Sequence, residues 1–145
     1  MSPGPEQQAL LDALSAEYAA VYAYGVVAAL SNPERAGMVG ANAAAHRARR
    51  DATIDALTAV SIDVPPPEAA YAFPFPVADP IAAAQLAVAV EGDAAVAWRS
   101  VIERAQSEHT RGTGIDALTE CALRLANWQA ILGTAPPTVA FPGQP

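Results

Sequence analysis

Lysine is absent from this chain, and its eight basic residues are all arginine. The formal net charge is −7 at pH 7. Because affinity for RNA or DNA depends on clustered positive charge, this balance argues against a nucleic-acid partner. One basic cluster remains, at Arg47, Arg49 and Arg50, but Asp51 and Asp55 follow it at helical spacing. We interpret that cluster as an ion-paired helix face rather than a binding surface for phosphates.

Cysteine and long apolar runs are also scarce. Cys121 is the single cysteine, so an internal disulfide is excluded and the composition fits a reducing compartment. The uncharged apolar stretch of the first predicted helix, 18–33, has 16 residues, fewer than the roughly 20 that a bilayer span requires. The first eight residues, MSPGPEQQ, contain neither the basic nor the apolar region of a secretory signal. We therefore expect a cytoplasmic protein without a membrane partner.

Alternating β-branched residues are nearly missing, whereas alanine, the best helix former, occurs 36 times. The composition therefore predicts an all-α protein. A chain of 145 residues is long enough to bury a core and too short for two ordinary domains. Residues 1–145 are therefore predicted to form a single domain, in which the small alanine side chains allow helices to approach closely.

Proline and glycine divide the chain into four helical segments. The Asn-Pro-Glu sequence at 32–34 and the Asp-Pro pair at 79–80 are predicted helix starts, because proline and a capping side chain suit the first turn. Thr113 begins a pattern that resembles a capping box, so Gly112 and Gly114 are predicted to form the turn between helices three and four. The predicted segments are about 6–31, 32–61, 80–107 and 113–133.

Residues 62–79 contain five prolines, too many missing donors and fixed φ angles for a helix. In polyproline geometry its roughly 17 residues reach about 50 Å, whereas a helix of about 27 residues is about 40 Å long. This segment can therefore cross the whole bundle, and the connection lengths predict two antiparallel hairpins joined by one long crossover. The Pro-rich tail, 134–145, carries Phe141, which we interpret as an aromatic anchor on the helical surface, like Phe73 and Phe75 in the crossover.

One residue of a metal-ligating type falls on each predicted helix: Glu17, His46, Glu91 and Glu120. Ferritin-like bundles hold two metal ions with a Glu on two helices and Glu-x-x-His on the other two. In this chain Ala43 stands where the first paired Glu would be, and Leu123 replaces the last His. Four of the six ligands are therefore present.

The heights of these residues along the helices decide which of them can meet. About the first predicted turn, Glu17 lies fifteen residues before and His46 fourteen after, so the two are expected to face each other. About the second predicted turn, Glu91 lies 21 residues before and Glu120 only eight after. Glu103, nine residues before that turn, is therefore an alternative to Glu91.

Several carboxylates and an imidazole in a core are costly without a partner for their charge. One solution is iron or manganese, held by Glu17, His46, Glu91 and Glu120. A second is a metal-free network with arginine: Arg49 and Arg50 follow His46 by three and four residues, and Arg124 follows Glu120 by four. A third is that two or more members are exposed. The candidate polar core site is Glu17, His46, Arg50, Glu91, Glu120 and Arg124.

Several sequence segments carry a family resemblance: AEYAAVYAYG at 16–25, AHRARRD at 45–51, YAFPFPV at 71–77, NWQ at 127–129 and AFPG at 140–143. They resemble actinobacterial ferritin-like proteins of a domain-of-unknown-function family, over nearly the whole chain. The resemblance implies a ferritin-like four-helix fold and no particular activity. It also implies recurrent polar positions at Glu17, His46, Arg50, Glu91 and Glu120.

Our leading interpretation is a ferritin-like bundle with a degenerate carboxylate and histidine site that is structural or binds a small-molecule ligand, without redox catalysis or a cofactor. The alternative is a metal-binding oxidase or iron-handling protein that uses the residual ligands with iron or manganese. No catalytic residue is identified. Helix one is apolar around most of its circumference from Tyr18 to Leu30, so we expect a homodimer, unless the crossover or tail covers this surface.

Overall fold

The computed structural model describes residues 2–145, and this range contains four α-helices and no strand. A short 3-10 turn, Pro33–Arg35, precedes the second helix. The predicted all-α class and four-helix bundle are confirmed. The helices are α1 (Pro5–Leu30), α2 (Ala36–Ala59), α3 (Pro80–Arg104) and α4 (Glu108–Ile131).

The first three helices begin close to the predicted positions. Pro5 occupies the first turn of α1, where its missing N–H costs nothing. The Asn32 side chain accepts a hydrogen bond from the Glu34 backbone N–H at 3.0 Å, and this cap opens the 3-10 turn rather than α2 itself. The Asp79 side chain accepts from the Ala82 backbone N–H at 2.8 Å and caps α3. These local signals suffice because capping acts within one turn.

The predicted start of α4 is wrong by about one and a half turns. Ser107 is the cap, and its hydroxyl accepts a hydrogen bond from the Thr110 backbone N–H at 3.0 Å. Gly112 and Gly114 therefore lie inside the helix. The reason for Gly114 is close packing: a Cβ added there would lie 2.8 Å from Cγ1 of Ile102 on α3. This glycine allows α4 to approach α3, and it does not form a turn.

The contacts between helices give their directions. Glu6 accepts from the Gln106 backbone N–H at 2.8 Å, and Tyr24 donates to Glu91 at 2.5 Å, so α1 and α3 are antiparallel. The α1–α2 hairpin is also antiparallel, because the 3-10 turn joins the two helices directly. Helices α2 and α3 are consequently parallel, and residues 62–79 must return along the bundle. The two hairpins and the long crossover are confirmed.

The crossover lies against α1. Tyr18 donates its hydroxyl hydrogen bond to the Pro65 carbonyl at 2.8 Å. The Tyr22 ring has its centroid 5.6 Å from that of Tyr71 and 5.8 Å from that of Phe73. Phe73 and Phe75 pack against the core as predicted. The crossover thus covers part of the apolar surface of helix one.

The tail is fixed differently from the prediction. Phe141 is 68% exposed, so its interpretation as an aromatic anchor is wrong. Gly143, at φ +79°, instead brings the tail backbone directly against α3. A Cβ added at Gly143 would lie 2.6 Å from the Ala95 carbonyl oxygen and 2.8 Å from Cβ of Arg99. The close approach of the backbone leaves no need for an aromatic side chain as an anchor.

Helices α1 and α3 are long and apolar enough to cross a membrane, by length and composition alone. This is weak evidence, because core helices of soluble proteins meet the same criterion. In the bundle about half of each apolar window is buried, 44% for α1 and 50% for α3. The cytoplasmic location stays a prediction.

The close packing of α4 on α3 predicts that Gly114→Ala destabilises the fold. The added methyl group would overlap the Ile102 side chain, which outweighs the gain in helix propensity, and we expect a net loss of about 1–2 kcal/mol. Gly112→Ala is the matched control, since nothing lies within 4 Å of the added Cβ. It should leave stability unchanged or raise it by up to about 1 kcal/mol. Denaturant unfolding of both variants measures the difference, and equal stability would contradict the packing argument.

Candidate functional site

His46 joins two buried carboxylates from two different helices. Its Nδ1 lies 2.6 Å from Oε2 of Glu17 on α1, and its Nε2 lies 2.9 Å from Oε2 of Glu91 on α3. All three side chains are fully buried. The prediction that Glu17 and His46 face each other across the first hairpin is confirmed, because their equal distances from the turn place them at one height.

The hydrogen-bond partners of His46 indicate its protonation state. An ionised carboxylate oxygen can only accept, so a ring nitrogen at hydrogen-bond distance from it carries a proton. Both ring nitrogens of His46 face carboxylates, and the ring is therefore an imidazolium. Burial alone would lower the pKa of His46, but hydrogen bonds and charge from Glu17 and Glu91 raise it to about 9.

Arg124 on α4 supplies the second positive charge. Its Nε donates to Oε1 and Oε2 of Glu91, both at 3.1 Å. Burial would raise the pKa of Glu91, but the hydrogen bond and charge of His46, followed by the charge of Arg124, lower it. Two carboxylates, one imidazolium and one guanidinium sum to zero. The charge network formed by Glu17, His46, Glu91 and Arg124 is therefore neutral and draws on all four helices.

Aromatic donors complete the hydrogen bonding of the two carboxylates. Trp98 Nε1 donates to Oε1 of Glu17 at 2.9 Å, and the Tyr24 hydroxyl donates to Oε2 of Glu91 at 2.5 Å. Burial, then the charge of Glu91 and its hydrogen bond, raise the pKa of Tyr24. Each carboxylate oxygen thus has at least one donor, and the network is saturated.

Two further donors, Trp128 and Asn42, extend the hydrogen bonding to the Tyr24 hydroxyl, and neither is among the candidate site residues from the sequence. Trp128 Nε1 donates to the Tyr24 oxygen at 3.0 Å, and Asn42 Nδ2 donates to it at 3.3 Å. Asn42 lies four residues before His46 on α2, and Trp128 lies four after Arg124 on α4. That spacing places each on the same helix face as its neighbour and could have identified both.

Glu103 does not replace Glu91. It is exposed and accepts a hydrogen bond from Arg99 at 3.3 Å, whereas Glu91 is in the core. The doubt arose from the misplaced turn: about Gln106, in the true turn, Glu91 lies fifteen residues before and Glu120 fourteen after. The two residues are therefore at equal height, as residues in a shared layer should be.

Glu120 and Arg50 nevertheless lie outside the network. Glu120 is 49% exposed and accepts a hydrogen bond from Arg49 at 3.0 Å. Arg50 pairs with Asp51 at 2.8 Å on the surface. Equal height fixes only the level along the bundle, and the side chain of Glu120 emerges between α2 and α4 instead of entering the core.

The donor set of the core does not fit a metal ion in this arrangement. Both nitrogens of His46 are engaged with carboxylates, and the guanidinium of Arg124 occupies one edge of Glu91. Residues 2–145 contain no cluster of three or more His, Cys, Asp or Glu side chains arranged to hold a metal. Cys121 is buried beside Arg124, and burial raises its pKa, so it offers no thiolate.

One member of the network, Arg124, borders a cleft between α2 and α4. Helix α1 packs on α2 and α3, and α3 packs on α4, whereas α2 and α4 face each other across this opening. The cleft has a volume of about 400 Å³. Its lining is Ala45, Ala48, Arg49, Ala52, Glu120 and Arg124.

Comparisons with known proteins identify relatives over nearly the whole chain. A family model for a domain of unknown function (DUF4439) matches residues 9–145. A crystal structure of a conserved hypothetical protein, rv2844, from Mycobacterium tuberculosis is 40% identical and superposes with a TM-score of 0.86. This similarity covers 90% of the present chain and 99% of that chain. No curated protein matches the chain significantly.

The charge network predicts a loss of stability on the alkaline side of neutrality. Because the folded pKa of His46, about 9, lies above the unfolded value of 6.5, its contribution is complete below pH 6.5 and is lost as pH rises through 9. The free energy of unfolding should fall by roughly 2 kcal/mol between pH 6.5 and 8.5. Urea unfolding across this range measures it. Staying below pH 9 keeps the ionisation of Tyr24 and Cys121, whose pKa values are raised in the folded protein, from dominating the change in stability.

The matched variants are His46→Gln and His109→Gln. His46→Gln should lower the free energy of unfolding and should abolish its fall between pH 6.5 and 8.5. His109 is exposed, so His109→Gln should leave this fall unchanged. At the acid end, the lowered pKa of Glu91 means that stability present above pH 4.5 is lost as pH falls through the folded value. A flat profile for the wild-type protein from pH 6.5 to 8.5 would refute the imidazolium assignment.

Proposed function

The chain belongs to the family of the domain of unknown function DUF4439, and we propose that it is a ferritin-like, non-redox protein that binds a small molecule. In this proposal the core network is structural and needs no metal. The ligand enters from the cleft between α2 and α4 and contacts the edge of the network.

The helix arrangement supports the ferritin-like assignment. Two antiparallel hairpins joined by one bundle-length crossover distinguish ferritin-like bundles from simple up-down-up-down bundles. In this chain α2 and α3 are parallel, and residues 62–79 supply the crossover. The four residues of the network also project inward at one level, where ferritin-like proteins place their ligands.

The single observation that carries the non-redox proposal is the double engagement of His46. A metal ligand must present a lone pair from a neutral imidazole, and this imidazolium has none. Arg124 then occupies the position of the second cation beside Glu91. The protein's own side chains perform the charge neutralisation that metal ions perform in ferritin-like metal sites.

The alternative function is an iron- or manganese-binding oxidase or iron-handling protein. Glu17, His46 and Glu91 are of suitable chemical type, and Glu120 is at the same height. Binding would require His46 to lose a proton, Arg124 to release Glu91, and Glu120 to turn inward. Each change breaks an interaction that the folded chain makes, so we rank this function second.

The proposed location is the cytoplasm, because the single cysteine fits a reducing compartment. We also propose a homodimer through α1. After the crossover has covered Tyr18, the neighbouring Tyr22 remains 37% exposed, beside half-buried Val26 and Leu30. An apolar strip of this kind favours self-association.

Metal content tests the proposed function directly. Protein expressed in medium supplemented with iron, manganese and zinc should contain far less than one ion per chain by plasma mass spectrometry. The matched comparison is the Arg124→Gln variant, which removes the competing cation and should show whether the carboxylates can then retain metal. Stoichiometric iron or manganese in the wild-type protein would overturn the non-redox proposal and support the alternative.

Light scattering tests the homodimer. Wild-type protein at micromolar concentration should have twice the chain mass of 14.9 kDa. Leu30→Glu should give a monomer, because it adds a charge to the proposed interface at a half-buried position outside the core clusters. Tyr22 is not substituted, because its ring packs against Tyr71 and Phe73 of the crossover. Tyr18 is unsuitable for this purpose, since it is buried under the crossover. A monomeric wild-type protein would refute the dimer.

A further inference from the structure

We propose that the cleft between α2 and α4 is a binding site for a small organic oxyanion, a carboxylate or phosphate group, held by Arg49 and Arg124. This inference rests on the proposed small-molecule function and specifies its ligand class. The proposed anion lies on the solvent side of Arg124, whereas a metal ion would lie in the core between His46 and the two carboxylates.

The cleft exists because α2 presents small side chains there. Ala45, Ala48 and Ala52 follow one another at helical spacing and line the wall opposite α4. A volume of about 400 Å³ lies within the range of small-molecule sites. It exceeds the size of a bare anion, so the methyl-lined wall suits the short carbon body of an organic acid or phosphorylated metabolite.

Both guanidinium groups at the cleft are held in position by other parts of the fold. Arg124 is only 12% exposed, and its Nε is fixed by Glu91. Arg49 places its guanidinium carbon 5.8 Å from the centre of the Trp98 ring, a cation–π contact. Prior positioning of this kind lowers the entropy cost of binding a ligand.

Each guanidinium also retains hydrogen-bond capacity. Within residues 2–145, Nη1 of Arg124 and Nη1 of Arg49 have no protein acceptor. Arg124 lines the cleft, so its remaining N–H groups are available to a ligand there. Paired N–H donors in a fixed fork match the oxygens of a carboxylate or phosphate.

Glu120 is a built-in competitor for this site. Its carboxylate pairs with Arg49 at 3.0 Å, yet it is half exposed and makes no other side-chain hydrogen bond in the described part of the chain. An exposed ion pair is weak. An incoming oxyanion can therefore replace the Glu120 carboxylate on Arg49 while Glu120 turns into solvent, so that one charge-assisted contact replaces another.

The experiment is calorimetric titration of the full chain with sodium phosphate and, separately, sodium succinate, at ionic strength held constant with sodium chloride. We expect saturable binding of at least one probe at one site per chain. Arg49→Gln should weaken it at least about tenfold, because it removes charged hydrogen bonds to the anion. Glu120→Gln should strengthen it by about two- to fivefold, because it removes the competing carboxylate.

The exposed pair Arg99 and Glu103 provides matched controls, with the same residue types and a similar distance of 3.3 Å outside the cleft. Arg99→Gln and Glu103→Gln should leave the affinity unchanged. The indole N–H resonance of Trp98 should shift on titration more than that of Trp128, because Arg49 stacks on Trp98. Binding of succinate alone identifies a carboxylate site, and binding of phosphate alone identifies a phosphate site.

Two outcomes would overturn the inference. One is the absence of saturable binding of either probe, and the other is equal weakening by Arg49→Gln and Arg99→Gln. Metal analysis of the same preparations separates this result from the proposed function. Stoichiometric metal with normal anion binding would overturn the metal-free core alone, whereas metal-free protein without anion binding would overturn the anion site alone.

Discussion

A protonated imidazole between two buried carboxylates is the interaction on which the rest of this bundle depends. His46 binds Glu17 and Glu91 at 2.6 and 2.9 Å and so connects α2 to α1 and α3. Removing one member of a buried ion pair costs about 3–5 kcal/mol, because an uncompensated charge remains. Arg124 brings the sum of charges to zero and adds α4. Each helix therefore contributes one charge that the others require.

This constraint compensates for what the alanine-rich helices lack. Alanine buries little apolar area, so packing of such helices distinguishes poorly between alternative registers. Sliding α2 by a single helical turn would displace His46 by 5.4 Å and break both of its hydrogen bonds. The aromatic donors Trp98 and Tyr24 tighten the requirement, because each also reaches one particular carboxylate oxygen. We infer that the charge network fixes the register of the bundle.

Sequence reasoning succeeded where one chain segment determines the answer. Helix starts at Pro5 and Asp79 follow from capping within a turn, and the facing of Glu17 and His46 follows from equal distances along a hairpin. The crossover follows from proline content and length. These properties depend on local geometry, which the sequence specifies directly.

The failures concern contacts between segments distant in sequence. Gly114 looks like a turn residue until α3 is seen against it, because a missing side chain gives the same local signal in both cases. Phe141 looks like an anchor, but Gly143 is the residue that meets α3. Glu120 has the correct height, and only the rotation of α4 about its axis turns it outward.

The position of Arg124 links the two sides of the site. One edge of its guanidinium neutralises Glu91 in the core, and the remainder faces the cleft between α2 and α4. An anion at that outer face would partly offset the positive charge of Arg124, which lowers the pKa of Glu91. The added negative charge would favour the protonated form of His46 and so raise its pKa further. Linkage is reciprocal, so the protonation of His46 would in turn favour the anion. The network therefore provides a physical route by which an anion in the cleft would change the protonation equilibrium of His46 in the core without any movement of the helices.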